Sequence, residues 1–204
     1  MVASLSSPTD ICNDALRRIG WKMRIGSLYD GSEAAKICLD IYGQTRDQLI
    51  SDGNFDFEER SVVLTLLKQA PPGGYFPPTV WTPIYPALPW GFEYSLPSDF
   101  LKVRSVRFQP TFNYNVDPQF NHYSLDNDNG LVPPQRVLLC NVPSAILSYA
   151  AQVSDPSAWD IAFTESFAAA LGRRLAPALV GLDATKLAAA DEQTEKAVAD
   201  NTQE

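Results

Sequence analysis

No stretch of this sequence limits its folding more than Leu67–Trp90, which holds Pro71, Pro72, Pro77, Pro78, Pro83, Pro86 and Pro89. Proline has no backbone N–H, so it cannot donate to a sheet ladder and it breaks a helix interior. The segment has to run as turns and extended chain, and Gly73-Gly74 marks one of the turns. Tyr75, Phe76, Trp81, Tyr85 and Trp90 are interleaved with the prolines, which argues against disorder, because disordered chains are poor in aromatics. Irregular segments of this length are uncommon in compact domains and are usually functional. Buried together, these rings would cover on the order of 1,000 Å², more than a monomer exposes as one apolar patch. They therefore either fold back onto their own chain or meet another chain. A proline-stiffened arm with aromatic anchors suits the grip of a neighbour.

Regular structure is expected on both sides of the arm. Ser7-Pro8 opens a helix with Ile11, Ala15, Leu16 and Ile19 on one face, and Gly20 stops it. Gly31-Ser32 begins a second helix that runs to Gly53. Ala35, Leu39 and Tyr42 share one face of it, and Ala34, Ile37, Cys38 and Ile41 widen that face. From Phe55 to Leu66 the apolar spacing is two, with the parity flipping across Glu58–Arg60, which reads as a bulged strand or a strand that changes partner. Further strands are expected at Phe92–Leu96, Lys102–Phe108, Gln135–Cys140 and Ala145–Val153, the alanines of the last leaving a helix possible. Asp155-Pro156-Ser157 starts a long helix with Trp159, Phe163, Phe167, Ala170 and Leu171 in one stripe, kinked or ended by Pro177. A last helix is expected from Gly181 through Leu187 toward Val198. Runs of like elements, rather than alternation, indicate an α+β fold. The expected architecture is a helical bundle from the N- and C-terminal segments (1–54 and 156–204) with a central antiparallel β-rich insertion (55–155) that carries the Pro/aromatic arm 67–90.

The net charge of −8 argues against a nucleic-acid binder that works by neutralising phosphates. The basic pairs Arg17-Arg18 and Arg173-Arg174 read as solvated helix faces. Cys12, Cys38 and Cys140 read as small buried hydrophobes, which fits a reducing compartment. Met1–Ser7 shows no signal-peptide pattern, and no apolar run approaches the roughly 20 residues of a membrane span. Chemistry has few candidates. His122 is the only histidine, and no P-loop, Gly-x-Ser-x-Gly or Cys-x-x-Cys occurs. Asp126-Asn127-Asp128-Asn129-Gly130 misses the calcium-loop spacing, which would need glycine where Leu131 stands and glutamate where Val137 stands. It reads as a hairpin turn. Glu58 and Glu59 are neighbours on a strand and point to opposite faces, so they read as solvated or salt-bridged. No enzyme, cofactor or metal is expected. The remaining enzyme reading is a hydrolase or metal enzyme using Asp126, Asp128 and His122.

Five stretches, in this order and spacing, resemble the tail tubular protein A and adaptor group of phage head–tail connectors. They are Ile11–Gly20, Asp30–Lys36, Leu49–Phe57, Leu96–Leu101, and Phe163–Leu175 followed by Ala176-Pro177. The resemblance implies a helical core with a β-rich extension, and a structural protein of the virion rather than an enzyme. It implies a ring, commonly of twelve subunits, at the head–tail junction, assembled in the host cytoplasm. The implied partners are the portal protein, the other copies in the ring, and the tail nozzle or next connector ring. DNA would pass through the channel without specific binding, and no membrane is involved. By the same resemblance Asp183–Glu204, with Leu187, Asp191, Thr194 and Val198 in a weak amphipathic pattern, is the segment expected to dock on the portal. The interface candidates are thus Tyr75, Phe76, Trp81, Tyr85, Trp90, Leu187 and Val198. The alternative is a β-rich ligand- or glycan-binding tail module that uses Trp81, Tyr85 and Trp90 as a stacking platform.

Overall fold

A computed structural model of the chain describes residues 7–74, 80–108 and 122–181. Two compact units divide them: one formed by the described residues up to Phe57 and from Val153 onward, the other by Glu58–Gln152.

Capping side chains set the helix starts in the first unit. Helix α1 (Pro8–Arg18) begins after Ser7, whose hydroxyl accepts from the Asp10 N–H at 3.1 Å. Helix α2 (Glu33–Asp52) begins after Ser32, which accepts from the Ala35 N–H at 3.3 Å. Helix α3 (Ile161–Leu179) begins after Asp160, which accepts from the Phe163 N–H at 2.5 Å. Each cap satisfies a donor that has no partner inside the helix. Helices α1 and α2 both pack on α3, whose Phe163, Phe167, Leu171 and Leu175 are fully buried. The Phe163 ring meets Phe55 and Trp159 at 5.0 Å and Phe57 at 4.9 Å, all edge-on, the arrangement that ring quadrupoles favour. Gly172 allows α3 its close approach to α1, since a Cβ there would lie 3.1 Å from the Ala15 carbonyl oxygen.

The expected helical bundle does not form. That expectation counted a further helix from Gly181 toward Val198, which lies outside the described residues apart from Gly181 itself. The described residues hold three helices and seven strands in two antiparallel sheets, a mixed α+β fold with substantial sheet content. Other details differ from the sequence-based expectation. Asp155-Pro156-Ser157 forms a separate 3-10 turn (Pro156–Ala158) with α3 starting later, and Pro177 is accommodated inside α3. Helix α2 buries Ala34, Ala35, Cys38 and Tyr42, which leaves Leu39 41% exposed. Among the described residues no helix is long and apolar enough to cross a membrane.

The second unit contains β1 (Glu59–Val63), β2 (Leu66–Gln69), β3 (Phe92–Ser95), β4 (Phe100–Phe108), β5 (Tyr123–Asp128), β6 (Gln135–Cys140) and β7 (Ala145–Ala151). One sheet has the order β1-β7-β4, the other β2-β3-β6-β5. The chain changes sheet at Leu64-Thr65, between β1 and β2, and not at Glu58–Arg60. Phe55 and Phe57, expected in a strand, pack their rings on Phe163 instead. The two sheets share one apolar cluster that includes Tyr94, Leu138 and Cys140 from one and Val103, Val106, Leu147 and Tyr149 from the other. Strand side chains alternate between faces, so the other face of the four-stranded sheet carries Lys68, Glu93, Val137, Leu139, Asp126 and Asp128. The register sets Lys68 opposite Glu93, Glu93 opposite Leu139, and Asp126 opposite Val137. Val137 and Leu139 are nonetheless buried. Something beyond the sheet covers this second face.

Candidate functional site: an aromatic arm over a charged cleft

The cover is the arm. Its outgoing end leaves β2 through Pro71-Pro72-Gly73-Gly74, where the Gly74 N–H donates to the Pro71 carbonyl at 3.0 Å. Gly73 has φ +89, the left-handed backbone that the third position of a type II turn requires. The returning end is two further turns. The Tyr85 N–H donates to Thr82 O at 3.0 Å and the Trp90 N–H to Ala87 O at 2.9 Å. Pro83 stands second in the first of these, where its fixed φ fits. The Trp81 indole N–H donates to the Pro86 carbonyl at 2.7 Å, which draws the loop closed on itself. At the base, the Ala70 N–H donates to Gly91 O at 2.8 Å, and the Gly91 N–H donates to Asn141 Oδ1 at 2.7 Å.

The closed loop gives the arm two sides. Trp81, Pro83, Tyr85 and Ala87 form the wall of a cleft of about 120 Å³ above the sheet. Val80, Ile84 and Leu88 point away and are 76%, 71% and 57% exposed.

The floor of the cleft is charged. The Lys68 ammonium pairs with Asp128 Oδ2 and lies 3.3 Å from Glu93 Oε1. Glu93 is 3% exposed, and its Oε1 accepts no hydrogen bond from the described residues, so the contact with Lys68 is ionic rather than directional. Burial, aided by the adjacent Asp128, pushes the Glu93 carboxyl up to about 7. At Lys68, burial opposes the charged form, but Asp128 and Glu93 outweigh it and hold the ammonium above the ordinary lysine range. At Asp128, burial is likewise outweighed, by Lys68 and the Gly130 N–H, and the carboxyl sits below its ordinary value. Asp126, two residues along β5, lies at the exposed rim. The cleft is well below the roughly 300–1,000 Å³ of pockets that enclose drug-sized molecules. Among the described residues no group of three or more His, Cys, Asp or Glu could hold a metal ion.

Of the interface candidates, Trp81 and Tyr85 come together over this floor. Trp90 is half-buried and not part of the cleft wall. Tyr75, Phe76, Leu187 and Val198 lie outside the described residues. Asp126 and Asp128 are in the cleft, on β5 rather than in the turn itself; Asn129-Gly130 falls in the β5–β6 connection. His122 is exposed just before β5 and does not line the cleft. Glu58 is buried and paired with Arg104, while Glu59 accepts from the Ser148 hydroxyl at 2.6 Å. All three cysteines are free and buried. Sequence reasoning missed Lys68 and Glu93. A signal was present in Phe92-Glu93-Tyr94-Ser95, where a lone carboxylate alternates with ring side chains that face a core.

A scan against models of known protein families finds no match to this chain, and no curated protein matches it in sequence.

Proposed function

We propose that this chain is a structural subunit of the head-to-tail connector of a tailed bacteriophage. In this reading copies of it form a ring, commonly of twelve, that seats beneath the portal, receives the tail nozzle or next connector ring, and surrounds the DNA channel. Its role is mechanical, not enzymatic. The five stretches that resemble the adaptor group support the reading. The observation that carries it is the two-sided arm, closed on itself by the Trp81–Pro86 hydrogen bond while Val80, Ile84 and Leu88 stand in solvent. A loop already fixed by prolines and an internal hydrogen bond loses little further freedom when a neighbour covers it. Exposed large apolar side chains on one loop are what interfaces bury. Strand β1 adds to this, as an edge strand with all five residues exposed, Val62 and Val63 among them. A net charge of −8 suits a channel wall that repels DNA and leaves it mobile.

Electron microscopy of the protein mixed with the portal ring of the same virus, with the protein alone as control, tests this. A new ring on the portal's narrow end is the expected result. A monomer in both samples would overturn the adaptor role. The glycan-binding alternative is favoured by one observation, the joint placement of Trp81 and Tyr85 beside Asp126, Asn127 and Asp128. Saturable binding of a saccharide by the monomer would support it.

A further inference from the structure

The outward side of the arm offers a surface to a neighbour, and the inward side offers chemistry of its own. We propose that the cleft between Trp81, Tyr85, Glu93 and Asp126 is a receptor for one guanidinium group, an arginine side chain of a partner protein. Its volume of about 120 Å³ suits the tip of one side chain. Its wall is aromatic and its floor and rim are acidic, the combination that a planar, delocalised cation satisfies at once by stacking and by forked hydrogen bonds. An ammonium would use the charge but not the plane.

The charge balance leaves room for such a guest. Lys68 pairs with Asp128, but Asp126 makes no ion pair among the described residues, and its Oδ1 accepts only from the Asn127 N–H, at 2.8 Å. Independently, Glu93 is more than nine-tenths buried and lines the cleft, and its Oε1 has only the ionic contact with Lys68 at 3.3 Å and accepts no directed hydrogen bond. An ionic contact without a directed hydrogen bond leaves part of the lost hydration of that oxygen unreplaced. An N–H donor entering from the cleft would complete it. That the arginine belongs to a neighbour in the connector rests on the connector reading; the chemistry of the cleft does not.

A pH dependence follows. The groups that face Glu93 are Lys68 on β2, Asp126 and Asp128 on β5, and Tyr85 on the arm, while β6 contributes only Val137 and Leu139. With Glu93 pushed up to about 7, an arriving cation favours its ionised form. Binding therefore releases a proton and tightens as pH rises through neutrality.

The test is a titration of the full chain with ethylguanidinium at constant ionic strength. It is read at the indole N–H resonance of Trp81, assigned with Trp81→Phe. N-ethylurea, the neutral isostere, and glucose are the comparison probes. A saturable shift is expected with ethylguanidinium alone, tighter at pH 8 than at pH 6, and weakened about tenfold by Glu93→Gln, the scale of one charge-assisted hydrogen bond. Asp126→Asn, at an exposed position, should weaken it several-fold and keeps the test decisive if Glu93→Gln fails to fold. Absence of a saturable shift, an equal response to ethylurea or glucose, or full affinity in the folded variants would overturn the assignment. If ethylguanidinium binds but no ring forms on the portal, the connector reading falls and the cleft assignment stands. If a ring forms on the portal but ethylguanidinium does not bind, the cleft assignment falls and the connector reading stands.

Discussion

In the helical unit Tyr42, Phe55, Phe57, Trp159, Phe163 and Phe167 meet one another around α3, mostly edge-on. In the arm Trp81 is 41% exposed, and together with Tyr85 it overhangs an ammonium and three carboxylates. The same residue type thus closes one region and leaves the other open. Rings packed on rings lose most of their water, and Phe163 and Phe167 lose all of it. Over the charged floor Trp81 is held by one hydrogen bond and keeps much of its surface in solvent. The first arrangement should dominate stability and the second recognition, and mutations can separate them.

The largest expected effect is in the helical unit. Phe163→Ala removes a fully buried ring that touches four other aromatics and should cost about 3–5 kcal/mol in denaturant unfolding. Trp81→Ala should cost no more than about 1.5 kcal/mol. Equal losses would erase the contrast.

Next is the pH response of the cleft. Glu93 sits at about 7 in the folded chain against an ordinary 4.5. The folded state therefore favours its protonated form, and the stability this brings is present below about pH 4.5 and lost as pH rises through about 7. The loss is about 3 kcal/mol at most. The shift at Asp128 acts below this window and that at Lys68 above it. Unfolding followed by circular dichroism from pH 5 to 8 should show stability falling, and Glu93→Gln should flatten the curve. A flat profile in the unmodified protein would mean that water reaches the carboxylate and the cleft is not a closed environment. Smaller again, Gly172→Ala places a Cβ 3.1 Å from the Ala15 carbonyl and should cost about 2 kcal/mol, the scale of overpacking a tight contact.

The helical region is the more legible in sequence, and the reason is local. Ser7 and Ser32 cap helices through bonds that span three residues, so they can be read without the fold. Asp160 caps α3 by the same kind of bond, but Asp155-Pro156-Ser157 offers the same start signal five residues earlier and takes the sequence-based reading, where a separate 3-10 turn forms. The Phe163-Phe167-Leu171 stripe follows from helical period alone. Leu39 escapes such a reading because the buried face of α2 depends on where α3 lies. The expected bundle fails because helix number is inferred from segments whose packing no local pattern specifies. The cleft cannot be assembled from sequence at all. Lys68, Glu93 and Asp128 are far apart along the chain, and strand register and ion pairing bring them together. Register is a property of pairing, so a solitary glutamate between Phe92 and Tyr94 looks like any polar strand position until β2 and β5 are placed.

The smallest expected change in stability tests the comparison most sharply. Ile84 is 71% exposed at the third position of the Thr82–Tyr85 turn, pointing away from the cleft. Ile84→Ser removes no buried contact and alters no backbone hydrogen bond, so the monomer's unfolding midpoint should move by less than about 0.5 kcal/mol equivalent. If the outer side of the arm is a subunit surface, the same change makes a partner bury a hydroxyl where it expects an alkyl group, and ring formation on the portal should drop severely. Paired measurements of unfolding and ring occupancy separate the two sides of one loop. A variant that is both stable and fully assembled would show that the exposed apolar row contributes to neither, and the assembly role would then have to be sought at the β1 edge.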